Sequence, residues 1–214
     1  LIHFSHHVAT GILIPLLPML RDAFSLDYSR SGLMVSAFNV TYGVAQWPMG
    51  NLADRMSKRW LLALGLVGVG LCAWGIGLSG AYVPTMIFLV LMGVAGGAYH
   101  PVATPFLAQY FPPQRLGMVL GFHLIGGSSS LLLTPIMAGL IAGQLGWQTA
   151  FLVLPLPVLA VAGLFLVVAG RETRGAAPPT KVEGGGPGLL EIARLVGLLV
   201  AIALVTQLIS SGVN

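Results

Sequence analysis

Charge is what this sequence of 214 residues has little of: Lys, Arg, Asp and Glu make up 7% of it, against about 25% in an ordinary soluble domain. So few charges do not cover the surface of a water-soluble globule, and that class is excluded. The scarcity is also patterned. Between Arg59 and Arg115, and again between Arg115 and Arg171, lie two stretches of 55 residues that carry no Lys, Arg, Asp or Glu. A membrane-crossing helix needs about 20 apolar residues to cover a hydrocarbon core of about 30 Å, so each stretch holds two crossings and a short turn. Cysteine is nearly absent too. The single Cys72 lies in an apolar run, which leaves no disulfide framework and no cysteine metal motif. There is no Gly-Lys-Ser/Thr phosphate loop for ATP. The formal net charge is +4, yet the basic residues form no stripe interleaved with aromatics, which argues against nucleic acid.

What is present is apolar sequence, at 56% of residues. Seven stretches are long enough to count as spans: 1–20, 31–49, 60–79, 84–108, 117–141, 147–170 and 189–210. They are continuous runs without the two-residue alternation of a barrel strand. Backbone groups in hydrocarbon must be paired internally, so helices are expected. The first run has no basic leader and no small-residue cleavage site, and more spans follow, so it does not read as a signal peptide. Eight of the ten basic residues (Arg55, Lys58, Arg59, Arg115, Arg171, Arg174, Lys181 and Arg194) fall on connections from even to odd spans, and only Arg21 and Arg30 fall on the others. Positive charge marks the cytoplasmic side. The expected topology therefore has a cytoplasmic N-terminus and outer turns near Gly80 and Gly146, in a plasma membrane of bacterial or archaeal type.

The segment 171–188, with its Pro and triple Gly, reads as a flexible cytoplasmic linker. It divides a six-helix unit, 1–170, from a seventh helix within 189–214. The chain has no initiating Met and both opens and stops inside an apolar run, the pattern expected of a two-half transporter cut short. The expected partners are the lipid bilayer, a small-molecule substrate and a missing C-terminal half, with no nucleic acid and no cofactor.

The sequence leaving the second span is Gly50-Asn51-Leu52-Ala53-Asp54-Arg55-Met56-Ser57-Lys58-Arg59. Physically, Gly50 permits close helix approach, Asp54 suits a cation or a helix N-terminus, and the cations suit an anionic leaflet. As a string it resembles the loop motif of the major facilitator superfamily, Gly-x-Leu-Ala-Asp-Arg-x-Gly-Arg/Lys-Arg/Lys, with Ser57 in place of the second Gly. The resemblance implies an all-α polytopic bundle, a six-helix half plus a seventh helix, and a cytoplasmic gate at Gly50, Asp54, Arg55, Lys58 and Arg59. Tyr99-His100-Pro101 and Phe122-His123-Leu124-Ile125-Gly126-Gly127 are similar to strings of the fosmidomycin-resistance-type drug exporters. That branch carries acidic residues where this chain has His7 and Val102. The antiporter signature of helix five survives only as Ser130-x-x-x-Thr134-Pro135-x-x-Ala138-Gly139, and Leu89 stands near the place of an embedded Arg.

No carboxylate lies inside the first six marked spans; Asp22, Asp27, Asp54, Glu172 and Glu183 fall in loops or at ends, and Glu191 at the start of the seventh span. The titratable groups left in the bilayer are His3, His6 and His7 on the first span, His100 on the fourth and His123 on the fifth. Imidazole titrates near pH 6.5 when unperturbed, which suits proton coupling, and intramembrane ionisable groups are functional candidates. At about 1.5 Å per residue, His100 lies about 24 Å below the outer end of its helix and His123 about 9 Å above the inner end of its own. With the first-span histidines, both belong to the cytoplasmic half. Expected on the substrate path are His7, His100 and His123, joined by Asn39, Tyr42 and Gln46, which share one helical face; each could equally be interhelical glue. The string His3-x-x-His6-His7 offers a ligand set for a transition metal, but without supporting groups legible beside it no metal site is assigned.

Pro101 and Pro105, with Pro135, are expected to bend their helices. Gly93/Gly97 and Gly139/Gly143 read as packing pairs, and Trp47, Trp74 and Tyr82 as interfacial anchors. The function expected is secondary transport by alternating access, implied by the resemblance to be proton-coupled export of small drugs or metabolites, and not catalysis. The competing class is a non-transporting assembly factor or sensor on the same fold. Seven helices do not enclose a central pathway, so the chain alone is expected to be inactive.

Overall fold

The computed structural model describes residues 1–169 together with Arg194 and Gly197. The expected linker and seventh helix at 171–188 and 189–214 lie outside the described residues, those two positions apart. By contacts the chain divides into two compact units, Leu1–Thr173 and Arg174–Asn214.

Nine helices make up the described part of the first unit, and no strand occurs among the described residues: α1 Ile2–Thr10, α2 Leu13–Ala23, α3 Tyr28–Ala53, α4 Lys58–Leu78, α5 Tyr82–Gly96, α6 Tyr99–Tyr110, α7 Pro113–Leu145, α8 Trp147–Val153 and α9 Pro155–Val168. Three of the expected spans are thus pairs of consecutive helices. α1 and α2 part at Gly11 and Ile12, ahead of Pro15; α5 and α6 part at Gly97 and Ala98, ahead of Pro101; α8 and α9 part at Leu154, ahead of Pro155. Proline lacks the N–H that would close the preceding turn and crowds the carbonyl four residues back. Pro105 and Pro135, by contrast, lie inside uninterrupted helices.

Four stretches are long and apolar enough to cross a membrane: Lys58–Leu78, Tyr82–Tyr110, Pro113–Leu145 and Trp147–Val168. The first expected span is carried by two short helices, of 9 and 11 residues. α3 has the length, at 26 residues, but Asn39, Thr41, Tyr42, Gln46 and Asn51 dilute its apolar character.

α4 is the hub, packed against α1, α5, α6, α8 and α9. Its Leu62, Leu66, Val69, Ala73 and Ile76 are all buried, and Trp74 donates from Nε1 to the Leu152 carbonyl at 2.8 Å. Trp74 thus pins α4 to α8, its indole N–H finding a partner there. α3 and α5 cross closely. A Cβ on Gly93 would lie 2.7 Å from the Phe38 carbonyl and 2.9 Å from the Tyr42 nitrogen, and one on Gly97 2.7 Å from the Ala45 Cβ. The other pair is different: Gly139 and Gly143 have nothing within 4 Å of the same position. The turn from α7 into α8 rests on Gly146 at φ 86°, a left-handed conformation that a Cβ penalises.

Candidate functional site

Helix periodicity brings the first-span histidines together in two directions. His3 and His7 are one turn apart on α1 and so share a face; their Nε2 atoms lie 3.1 Å apart. His6 turns the other way, with Nε2 at 3.0 Å from the Tyr42 hydroxyl on α3. Tyr99, the first residue of α6, stacks on both His6 and His3, at 4.4 and 5.3 Å between ring centroids. Because α6 starts afresh at the Gly97–Ala98 break, the next residue, His100, is free to face the same group. Its ring lies 5.7 Å from that of His3 and 5.5 Å from that of His7.

α7 closes the assembly. The His123 ring stacks on His3 at 4.1 Å, and His3 Nδ1 donates to the His123 carbonyl at 2.7 Å. A carbonyl only accepts, so Nδ1 carries the proton of a neutral His3, and its Nε2 keeps a lone pair. Gly127, one turn on from His123, makes room for the ring: a Cβ there would come within 2.4 Å of His3 Cε1. His3 and His6 are buried, His7 and His123 half-buried, and His100 exposed. The result is a graded cluster of five imidazoles and two phenols, with no carboxylate within it, that reaches from the helix packing to an accessible edge.

The sequence motif takes a second, separate place. α3 ends at Ala53, and Asp54, Arg55 and Met56 are exposed in the turn before α4. Ser57 caps α4, its Oγ accepting from the Trp60 N–H at 3.4 Å. The departure from Gly at this position thus gains a cap, since Ser supplies the oxygen that Gly lacks. Arg59 donates from its guanidinium to the Leu166 carbonyl, one of the last-turn carbonyls of α9 that has no partner within its own helix. Gly50 sits against Pro101 of α6, with 3.7 Å from its Cβ position to the Pro101 Cβ.

Residues 1–213 match the Major Facilitator Superfamily. The chain belongs to this superfamily. Among its relatives, the tetracenomycin C resistance and export protein of Streptomyces glaucescens is 33% identical over 58% of this chain and 24% of its own length. The phosphoglycerate transporter protein of Salmonella typhimurium is 28% identical over 72% and 34%, and multidrug resistance protein MdtG of Citrobacter koseri 28% over 89% and 46%. The chain thus spans less than half the length of these relatives. The inward-facing, unoccupied crystal structure of a bacterial homologue of the human lysosomal transporter Spinster shares the fold, with a TM-score of 0.73, 18% identity, and coverage of 89% of this chain and 44% of that one. This is a multi-pass membrane protein of a transporter superfamily, not of an enzyme family.

Within this major facilitator chain, the expected path residues divide. His7, His100 and His123 meet in the cluster, and Tyr42 joins it through His6. Asn39 is exposed and Gln46 half-buried on α3, and neither has a described contact with the cluster. Tyr99, Gly127, His3 and His6 belong to the assembly although sequence reasoning left them off the path. The spacing of His3 and His7 was the available signal, and for Gly127 its place one turn after His123 in the Phe122–Gly127 string.

Proposed function

We propose that this chain is one half of a secondary transporter that exports small drugs or metabolites in exchange for protons by alternating access. The observation that carries the reading is the cluster in which α1, α3, α6 and α7 place His3, His6, His7, His100, His123, Tyr42 and Tyr99 in mutual contact. With no carboxylate in the cluster, its imidazoles are the side chains there that can carry a proton. His7 and His100, on the accessible edge, face the substrate path; His123, beside them, holds His3 in place. The names of the relatives support the cargo class: two concern drug resistance or export and one a phosphorylated metabolite.

In this reading a second six-helix half, related to the fosmidomycin-resistance-type exporters like the first, completes the pathway, and the two rock about a central site. Asp54 and Arg55 latch the cytoplasmic ends of the halves, the N-terminus is cytoplasmic, and the membrane is a bacterial or archaeal plasma membrane. The exposure of both residues at the α3–α4 turn supports a role toward a partner surface. The test is transport by the two-half protein in proteoliposomes with and without a pH gradient. A gradient of the correct sign accelerates transport, and His100→Ala lowers the rate and flattens its pH dependence. Transport indifferent to the gradient removes proton coupling, and a His100→Ala variant with the original profile removes His100 from the mechanism.

A further inference from the structure

We propose that His3, His7 and His100 form a binding site for a single divalent transition-metal ion. One nitrogen from each ring lies within 4.8 Å of the other two, and the His3 and His7 Nε2 atoms are already 3.1 Å apart. Metal–nitrogen bonds of about 2.0–2.1 Å in a tetrahedral site set ligand atoms about 3.4 Å from one another. The His3 and His7 pair meets that spacing, and the remaining closure of at most about 1.4 Å falls on His100, whose exposed ring has room to turn.

The support around the site is what separates it from a chance meeting of rings. A metal-bound histidine ordinarily donates its other N–H to a carbonyl or carboxylate, which fixes tautomer and orientation. His3 has this contact already, to the His123 carbonyl at 2.7 Å, so its Nε2 lone pair is directed at the His7 nitrogen. The His3 ring is further packed against both Tyr99 and His123, with interplanar angles of 12° to each, over the space left by Gly127. Without metal, the His7 Nε2–H donates to His3 Nε2; on binding, the His7 proton moves to its Nδ1 and both Nε2 lone pairs reach the metal.

The ligand set also chooses the ion. Three imidazoles and no carboxylate suit Zn²⁺, Co²⁺, Ni²⁺ or Cu²⁺ and disfavour Mg²⁺ and Ca²⁺, which take oxygen ligands. Three protein ligands leave a fourth position open on the exposed His100 side, for water or for an anionic group of a bound compound. His6 is not a ligand, although the sequence places it between the other two, because it turns to Tyr42. The site stands on its own geometry and holds whether or not the cluster moves protons.

The experiment is a Co²⁺ titration of the full chain, purified in detergent through a tag without histidine and read by visible absorption, with Zn²⁺ as competitor. Expected are one equivalent of Co²⁺, the intense bands of four-coordinate cobalt, displacement by Zn²⁺ and none by Mg²⁺. His100→Gln, at an exposed position that does not endanger folding, weakens binding at least tenfold, as does His7→Gln, while His6→Gln leaves affinity within about threefold. Failure of folded protein to bind one equivalent, or a spectrum that persists in the His7→Gln/His100→Gln double variant, overturns the site. Neither result touches transport driven by a pH gradient, which is measured separately.

Discussion

The histidine cluster and the basic loop at Gly50–Arg59 are built in opposite ways. The loop is local: one continuous string supplies the end of α3, the exposed Asp54 and Arg55, the Ser57 cap and Arg59. The cluster gathers His3 and His6 from α1, Tyr42 from α3, Tyr99 and His100 from α6 and His123 from α7, up to 120 residues apart in sequence. One is charged and faces outward; the other is built of groups able to be neutral, largely buried, and packed ring against ring. A charged group in the cluster would have to be desolvated against packed helices, whereas the loop lies where charge stays hydrated. The lesson is that this fold keeps its charges at helix ends and confines its interior chemistry to side chains that can shed theirs.

The contrast can be broken from either side. The largest effect is expected from Gly93→Val, which drives methyl groups into the Phe38 carbonyl and Tyr42 nitrogen of α3. Overpacking against backbone costs about 3 kcal/mol, and thermal unfolding in detergent should show it, while Gly139→Val, with open space at that position, leaves the midpoint nearly unchanged. Next comes Gly127→Ala. Its Cβ displaces the His3 ring at a cost of about 1 to 2 kcal/mol, and the loss of the His3 to His123 hydrogen bond should appear as a changed imidazole nitrogen signal in NMR, with the loop untouched.

On the loop side the effects are smaller. Arg59→Met removes the donor to the Leu166 carbonyl and the cation at the C-terminal end of α9, worth about 1 kcal/mol; the unfolding midpoint should fall without any change at the histidines. Ser57→Ala deletes a cap whose hydrogen bond is long, 3.4 Å, so about 0.5 kcal/mol is expected. If Arg59→Met shifted the imidazole signals, the two regions would be coupled and the contrast between them lost.

Much of the architecture was legible because exclusion of charge from lipid is a one-dimensional rule. It located α4, α5 with α6, α7, and α8 with α9 to within a few residues, and it placed the basic turn between α3 and α4. It did not show that three of the spans are divided, at Gly11, Gly97 and Leu154, or that the Trp74 N–H bonds to α8. The paired glycines show why packing was not legible: Gly93/Gly97 and Gly139/Gly143 have the same spacing, yet the first pair is pressed against α3 and the second meets open space. Spacing says that a helix can be approached closely. It does not say by what.

The sequence by itself determined that the chain crosses a membrane as helices, where the cations lie, and that histidine is the titratable residue left inside. Only the tertiary structure decided that His3 and His7 meet His100 while His6 goes to Tyr42, and that Gly127 and the His123 carbonyl hold His3 in one tautomer. The physical reason is range. Hydration of charge acts residue by residue along the chain, whereas ring contacts and ligand geometry depend on how helices far apart in sequence rotate against each other, to within about 1 Å.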